Sequence, residues 1–264
     1  MSNRPLRSRN VAVEKENLTS FSKPIQRRWT LPAQLPDFSE HLELMNSFEV
    51  EFDLEECLQR HRLTEAHRAR VVDWVIEVLA IYKTSQRTVY LAVKLLDIYL
   101  AKTSGLQVHH LQLVCLTCMF IASKYEDMRP FTLDTICTQI SYNQVSKSSV
   151  LAEEKALLSM VDYNLFFPTL HDWLELSLQH CPPSTCKFAW VMADISLLST
   201  QLVGLPPKQV AAAICRFALQ KTGAPLTPLE PELVPICRAL EHRYERYKHE
   251  HHLPAIKSKY QIDH

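Results

Sequence analysis

Cys115 and Cys118 stand at C-x-x-C spacing, an arrangement that can hold a metal ion or cycle between dithiol and disulfide. Both fall in an apolar run with no second pair nearby, so the spacing reads as the packed face of a buried helix. The other six of the eight cysteines lie mostly among apolar residues at helical spacing, and are expected to be reduced core residues of an intracellular protein. His249, His251 and His252 share a charged stretch with no partner at ligand spacing, so no metal site is expected. The three glycines, Gly105, Gly204 and Gly223, lie too far apart for a phosphate-cradling loop, which needs them where the backbone turns to positive φ or approaches a phosphate. There is no H-R-D or D-F-G set, no Ser/His/Asp arrangement and no H-E-x-x-H. No catalytic residue and no cofactor is expected, and the protein reads as a non-enzyme.

The 264 residues carry 29 basic and 29 acidic side chains, a formal charge of zero. Residues 1–30 hold seven Lys or Arg against two acids, about +5, which leaves the remainder near −5. That leading segment is polar and arginine-rich, unlike a secretory leader, and its scattered apolar residues form no face, so disorder is expected. Its basic pairs, Arg7/Arg9 and Arg27/Arg28, read either as a nuclear import signal or as solvated charge. The longest apolar stretch, 111–122, is interrupted by Gln112 and Thr117 and falls short of the roughly 20 residues that span a bilayer, so no membrane association is expected.

What must position the remaining residues is a set of helices. Residues 37–129 and 131–167 contain no proline, while prolines gather at 182–183, 206–207 and 225–235; proline breaks helix interiors, so the pattern is one of stacked helices with punctuated ends. Thr64 can cap a helix whose apolar positions Val71, Trp74, Val75, Val78, Leu79 and Tyr82 form one stripe, leaving Arg68, Asp73 and Glu77 on its other faces. Segments 88–100 and 108–124 are apolar nearly all round, the mark of buried helices. Two shorter amphipathic segments, 132–140 and 148–161, make five helices before Pro168. Shifting the chain by 97 residues over positions 89–124 aligns nine of 36 pairs identically, among them Asp97/Asp194, Gln112/Gln209, Cys118/Cys215, Phe120/Phe217 and Lys124/Lys221. Shared helical patterning explains matches of leucine or alanine better than these, so two tandem copies of one all-helical unit are expected.

The residues also carry a family resemblance. The run from His67 through Arg68, Asp73, Trp74 and Glu77 to Val78 resembles the M-R-x-x-L-V-D-W-L-V-E-V signature of the cyclin box. Residues 91–97 (L-A-V-K-L-L-D), 111–114 (L-Q-L-V), 121–128 (I-A-S-K-Y-E-D-M) and 150–155 (V-L-A-E-E-K) are similar, in order and spacing, to further cyclin motifs, the third in its mitotic B-type wording. Residues 255–260 (A-I-K-S-K-Y) resemble the ending of the second box. The likeness covers about residues 45–262. It implies an all-α fold of two tandem five-helix cyclin boxes, at 45–167 (kinase-binding) and 168–264, preceded by a disordered tail at 1–44.

By that resemblance the protein is a regulatory subunit that binds and activates a cyclin-dependent protein kinase in a G2/M-like role, in nucleus and cytoplasm. Lys124 and Glu154 would hydrogen-bond kinase backbone near its C-helix, with Tyr125 and Glu126 beside them. Arg68 and Asp97 would form a buried pair joining the first two helices of the box, and Leu113 would be core. The place where mitotic cyclins present an apolar groove to R-x-L peptides holds His67, Arg70, Val71 and Trp74, with Glu77 and Gln112 retained; a His and an Arg in place of apolar residues imply weak or altered docking. In the tail, Lys15, Glu16 and Asn17 spell a KEN box, the degron read by the anaphase-promoting ubiquitin ligase. Two rivals stay open. One is a cyclin-fold scaffold that activates no kinase. The other is a two-repeat transcription factor, which would carry a zinc ribbon and a basic repeat surface, whereas here no cysteine precedes Cys57 and no direct nucleic-acid partner is expected.

Overall fold

A computed structural model describes residues 53–179, 181–223 and 230–261. The chain divides into two units, Met1–Phe38 and Ser39–His264, and the described residues all belong to the second. The expected tail and its Lys15-Glu16-Asn17 motif lie outside the described residues, as do residues 45–52. Among the described residues the regular structure is entirely helical. Before Pro168 come α1 (Leu54–Arg60), α2 (Glu65–Ile81), α3 (Gln86–Lys102), α4 (Val108–Glu126), a π-helical turn (Thr135–Ile140) and α5 (Lys147–Met160). After it come α6 (Leu170–Ser177), α7 (Pro183–Leu197), the single turn α8 (Thr200–Val203), α9 (Pro207–Lys221), α10 (Leu233–Lys248) and α11 (Ala255–Tyr260). The expected helix count before Pro168 misses α1, a short helix whose first amides are capped by the Asp53 carboxylate.

Helix starts follow from local chemistry. Thr64 caps α2, Ser85 caps α3 and Ser146 caps α5, each side-chain oxygen accepting from a backbone N–H of the first turn. α7 and α9 each open on a proline pair, 182–183 and 206–207, with proline at the first helical position, where its missing N–H costs nothing. Helix ends are less ordinary. Arg62, Lys83, Asp162 and Gln261, each just beyond a helix, have φ between 51° and 55°, a region that usually falls to glycine. Each such non-glycine turn costs on the order of 1 kcal/mol, the conformational consequence of so few glycines. Gly105 does occupy a left-handed turn at φ +70°, but Gly204, its near-counterpart one repeat later, has φ −74° and needs no glycine.

The centre of the first set is α4, buried without interruption from Val114 to Ser123. Its polar members are satisfied locally: Thr117 Oγ1 donates to the Leu113 carbonyl, and Ser123 Oγ accepts from the Phe131 amide. Cys115 and Cys118 lie wholly inside this core, where burial pushes both thiols well up. Leu113 is only half-buried, packed on the rim of the core. The helix sets before and after Pro168 share one continuous apolar cluster.

The duplication is visible in three dimensions. α3 and α4 correspond at the 97-residue shift to α7 and α9, and Asp97 and Asp194 are both fully buried. Lys124 lies over the Phe120 ring at 4.0 Å, and Lys221 over Phe217 at 5.2 Å. Two expectations need correction. The 132–140 segment is not a plain α-helix: Thr132 caps it as expected, through the Thr135 amide, but residues from Thr135 onward wind as a π-helix. On α2, Arg68 and Asp73 are buried and Tyr82, beyond the last turn, is exposed. A single apolar stripe presumes one packed side, whereas α2 packs against α3 and α4 of its own bundle and also against α11 of the other.

Candidate functional site

Lys124 sits in the last turn of α4 and Glu154 in the middle of α5, and the packing of these two helices brings them together as a direct ion pair. The Lys124 side chain stays 39% exposed and that of Glu154 12%. Near the pair along the chain, Tyr125 is 49% exposed, Met128 99%, and Leu151, one turn before Glu154, is also exposed. Glu126 points elsewhere; it is half-buried, and burial raises its carboxyl above the usual range while Arg87 works against that rise. Arg87 itself bridges the helix sets through ion pairs to Asp172 and Glu175 on α6.

Arg68 and Asp97 are brought together in a different setting. Arg68 Nε and Nη2 donate to the two Asp97 oxygens at 2.7 Å each, and both residues are almost wholly buried. The third donor, Nη1, reaches the Leu197 carbonyl of α7 at 2.6 Å, so one guanidinium joins α2, α3 and the second helix set.

The remaining sequence candidates lie along α2, except Gln112 on α4. His67 is taken up in capping: the Thr64 amide donates to its Nδ1 at 3.2 Å while its own amide donates to Thr64 Oγ1 at 3.3 Å. Histidine thus does here what Glu usually does in a capping box. Arg70 is exposed; Val71 and Trp74 are half-buried against the core, and Glu77 is half-buried as well. Gln112 is half-buried in the second turn of α4, which packs on α2.

Three polar constellations escape the sequence motifs. Asp194, buried on α7, accepts from Tyr90 Oη at 2.8 Å and Gln86 Nε2 at 3.2 Å on one oxygen, and from Lys259 Nζ at 2.7 Å and Tyr260 Oη at 3.0 Å on the other. The 97-residue repeat flags Asp194, because a buried carboxylate needs a partner. Its cation was not readable that way, since the position equivalent to Arg68 is Leu165. Asp73 accepts from the Ala255 amide at 3.1 Å, and burial, with Glu77 and Glu250 nearby, pushes its pKa up to about 7. Glu65, at the start of α2, accepts from Thr200 and pairs with Arg246. Among the described residues no group of three or more His, Cys, Asp or Glu side chains could hold a metal ion, and no helix is long and apolar enough to cross a membrane.

Residues 40–166 match the family model of the cyclin N-terminal domain. The chain is 34% identical over 154 residues to a G2/mitotic-specific cyclin-2 of Medicago sativa, covering 57% of this chain and 46% of that one. It is 31% identical over 211 residues to cyclin-A2 of Bos taurus, covering 70% and 49%, and 30% identical over 159 residues to the G2/mitotic-specific cyclin-B3 of Mus musculus, covering 60% and 11%. It thus spans at most about half the length of these relatives. In three dimensions it resembles a chain of the yeast RNA polymerase II CTD kinase complex CTDK-1, with a TM-score of 0.61 at 15% identity over 78% of this chain and 76% of that one. It also resembles a viral cyclin from herpesvirus saimiri, with a TM-score of 0.56 at 17% identity over 76% and 86%. With the helical duplication and the motif order already described, the chain carries a cyclin N-terminal domain at 40–166 and is a cyclin-like protein resembling the mitotic A and B types.

Proposed function

We propose that this protein is a regulatory subunit that binds and activates a cyclin-dependent protein kinase through the surface around Lys124 and Glu154, with Tyr125 contributing. The observation that carries this is the partly exposed ion pair, with exposed Tyr125 next to Lys124 and exposed Leu151 one turn before Glu154. An exposed pair is worth about 0–1 kcal/mol, so redirecting both groups to a partner's backbone costs little, while the aromatic and apolar neighbours supply contact area. Kinases need their Lys to C-helix Glu ion pair assembled before phosphoryl transfer. A subunit that binds only the assembled arrangement shifts the kinase toward it without chemistry of its own. The fold likeness of this chain to one chain of a kinase complex agrees with this reading. The first box, 45–167, would carry the kinase contact and the second, 168–264, would support it.

The relatives of mitotic type favour a G2/M-like phase, and the tail would supply nuclear import through its basic pairs and destruction through Lys15, Glu16 and Asn17. A second reading, a scaffold that activates no kinase, draws on the mutual pairing of Lys124 and Glu154 and on Arg70 standing exposed at the R-x-L position. Mass spectrometry of kinases co-purifying with the full chain separates the two. An enriched cyclin-dependent kinase, lost on Lys124→Ala with Glu154→Ala in a protein that stays folded, supports activation; no kinase, or one retained by the double variant, removes it.

A further inference from the structure

Four of the cysteines, Cys181, Cys186, Cys215 and Cys237, do not share the core setting of Cys115 and Cys118, and the first three lie close together. Cys181 lies in the turn between α6 and α7, Cys186 in the first turn of α7, and Cys215 midway along α9; all three are half-buried. The sulfurs of Cys181 and Cys215 are 3.7 Å apart, and both point at one acceptor, the Ser177 carbonyl at the end of α6, at 3.8 Å each. Cys186 is turned toward backbone instead, its sulfur 3.5 Å from the Cys181 carbonyl and 3.8 Å from that of Leu178. No motif foretells the pair, because its members are 34 positions apart on different elements.

We propose that Cys181 and Cys215 form a reversible disulfide by exchange with a low-molecular-weight disulfide of the glutathione type, clipping the α6–α7 turn onto α9. In the first step the Cys181 thiolate attacks one sulfur of the small disulfide; that S–S bond breaks, a small thiolate leaves, and Cys181 carries a mixed disulfide. In the second, Cys215 gives up its proton and attacks the Cys181 sulfur, expelling the second small thiolate. Two protein thiols are oxidised by two electrons, the small disulfide is reduced to two thiols, and those thiols take up the two protons.

The geometry sets the order and the partner. Burial, then contact with Cys181, pushes the Cys215 thiol up to about 12, so Cys215 keeps its proton until an electrophilic sulfur is beside it. Closing the bond brings the sulfurs from 3.7 Å to about 2.05 Å, a movement that the short turn carrying Cys181 can absorb. The clip encloses α7, the helix that holds Asp194 and the Leu197 carbonyl bound by Arg68. It lies in the second helix set, away from Lys124 and Glu154, and stands whether or not a kinase is bound there.

The test is peptide mapping of the full chain after incubation with oxidised glutathione under native, mildly alkaline conditions, with alkylation and digestion kept non-reducing. The expected product is a cross-linked peptide joining Cys181 to Cys215, lighter by two hydrogens, with two of the eight thiols lost to titration and recovered with dithiothreitol. Cys186→Ser should still cross-link, and Cys215→Ser should stop at a glutathione adduct on Cys181. A bond from Cys181 to Cys186, a lasting glutathione adduct on wild-type Cys181, or survival of all eight thiols overturns the proposal. The wild-type map decides this even if a variant misfolds.

Discussion

Lys259, in the last helix, places its ammonium 2.7 Å from the carboxylate of Asp194, and so does for the second helix set what Arg68 does for Asp97 in the first. The duplication preserved the buried acid but not its arginine, and the cation arrives from 65 residues further along the chain. The terminal helix is therefore a structural member of the fold.

Replacing Lys259 by Met should destabilise the protein by about 3 kcal/mol, because Asp194 keeps neutral donors from Tyr90, Gln86 and Tyr260 but loses its countercharge. Urea unfolding followed by circular dichroism measures it. Adding Asp194→Asn should recover part of the loss, and strict additivity of the two changes would show that the pair is not coupled.

Arg68→Met should cost more, about 3–5 kcal/mol, since it strands a wholly buried carboxylate and frees the Leu197 carbonyl at the junction of the two helix sets. Unfolding midpoints report the loss. Kinase binding, if measured, should fail in parallel with folding rather than ahead of it.

Asp73 makes stability depend on pH. Its folded-state pKa is about 7 against 3.8 for the free side chain, so the folded protein favours the neutral acid. Its contribution is fully present below about pH 4, shrinks as the pH rises and is gone above about 7, a swing of about 2–4 kcal/mol at 1.36 kcal/mol per unit. Glu250 is shifted the other way, below the usual range, by its two arginines despite burial, so the wild-type curve mixes both signs. The difference between wild type and Asp73→Asn isolates the term: the variant should lose the fall in stability between pH 4 and 7 while its amide oxygen still accepts from Ala255. Parallel curves for the two proteins would contradict the shift.

Lys124→Ala and Glu154→Ala should each change stability by less than about 1 kcal/mol, because the pair is partly solvent-exposed. Kinase affinity should fall by about 30-fold or more, corresponding to about 2 kcal/mol for a charge buried on binding. Calorimetry of binding beside thermal unfolding separates the two effects, and a large stability loss would assign the pair to the fold.

Arg70→Leu should raise affinity for an R-x-L peptide several-fold, by restoring apolar area and removing a positive charge from the approach of a basic ligand. Arg70 is exposed and His67 is not touched, so the α2 cap survives the change. Fluorescence anisotropy of a labelled peptide gives the answer, and unchanged affinity would mean that α2 offers no such site.

Much of the fold was legible because the signals are local. Thr64, the proline pairs at 182–183 and 206–207, and the unbroken apolar run of α4 act on the backbone within a turn or two, and the helices begin and pack where they imply. The juxtaposition of Lys124 with Glu154, and of Arg68 with Asp97, was readable only through motif wording, since nothing in 30 or 29 positions of separation brings those side chains together. The burial of Asp73 was missed because periodicity records which residues share a helix face and not how many faces find partners.

By itself the sequence determined the helical class, the duplication and the cyclin-like motif order, each of which rests on spacing along one chain. Tertiary structure alone decided that α2 is enclosed by both helix sets, that Lys259 rather than an arginine neutralises Asp194, and that Cys181 meets Cys215. Those are pairings across 34 to 182 positions. They form only when hydrophobic burial has closed the intervening chain, and the partner is then whichever polar group the packed surface carries there.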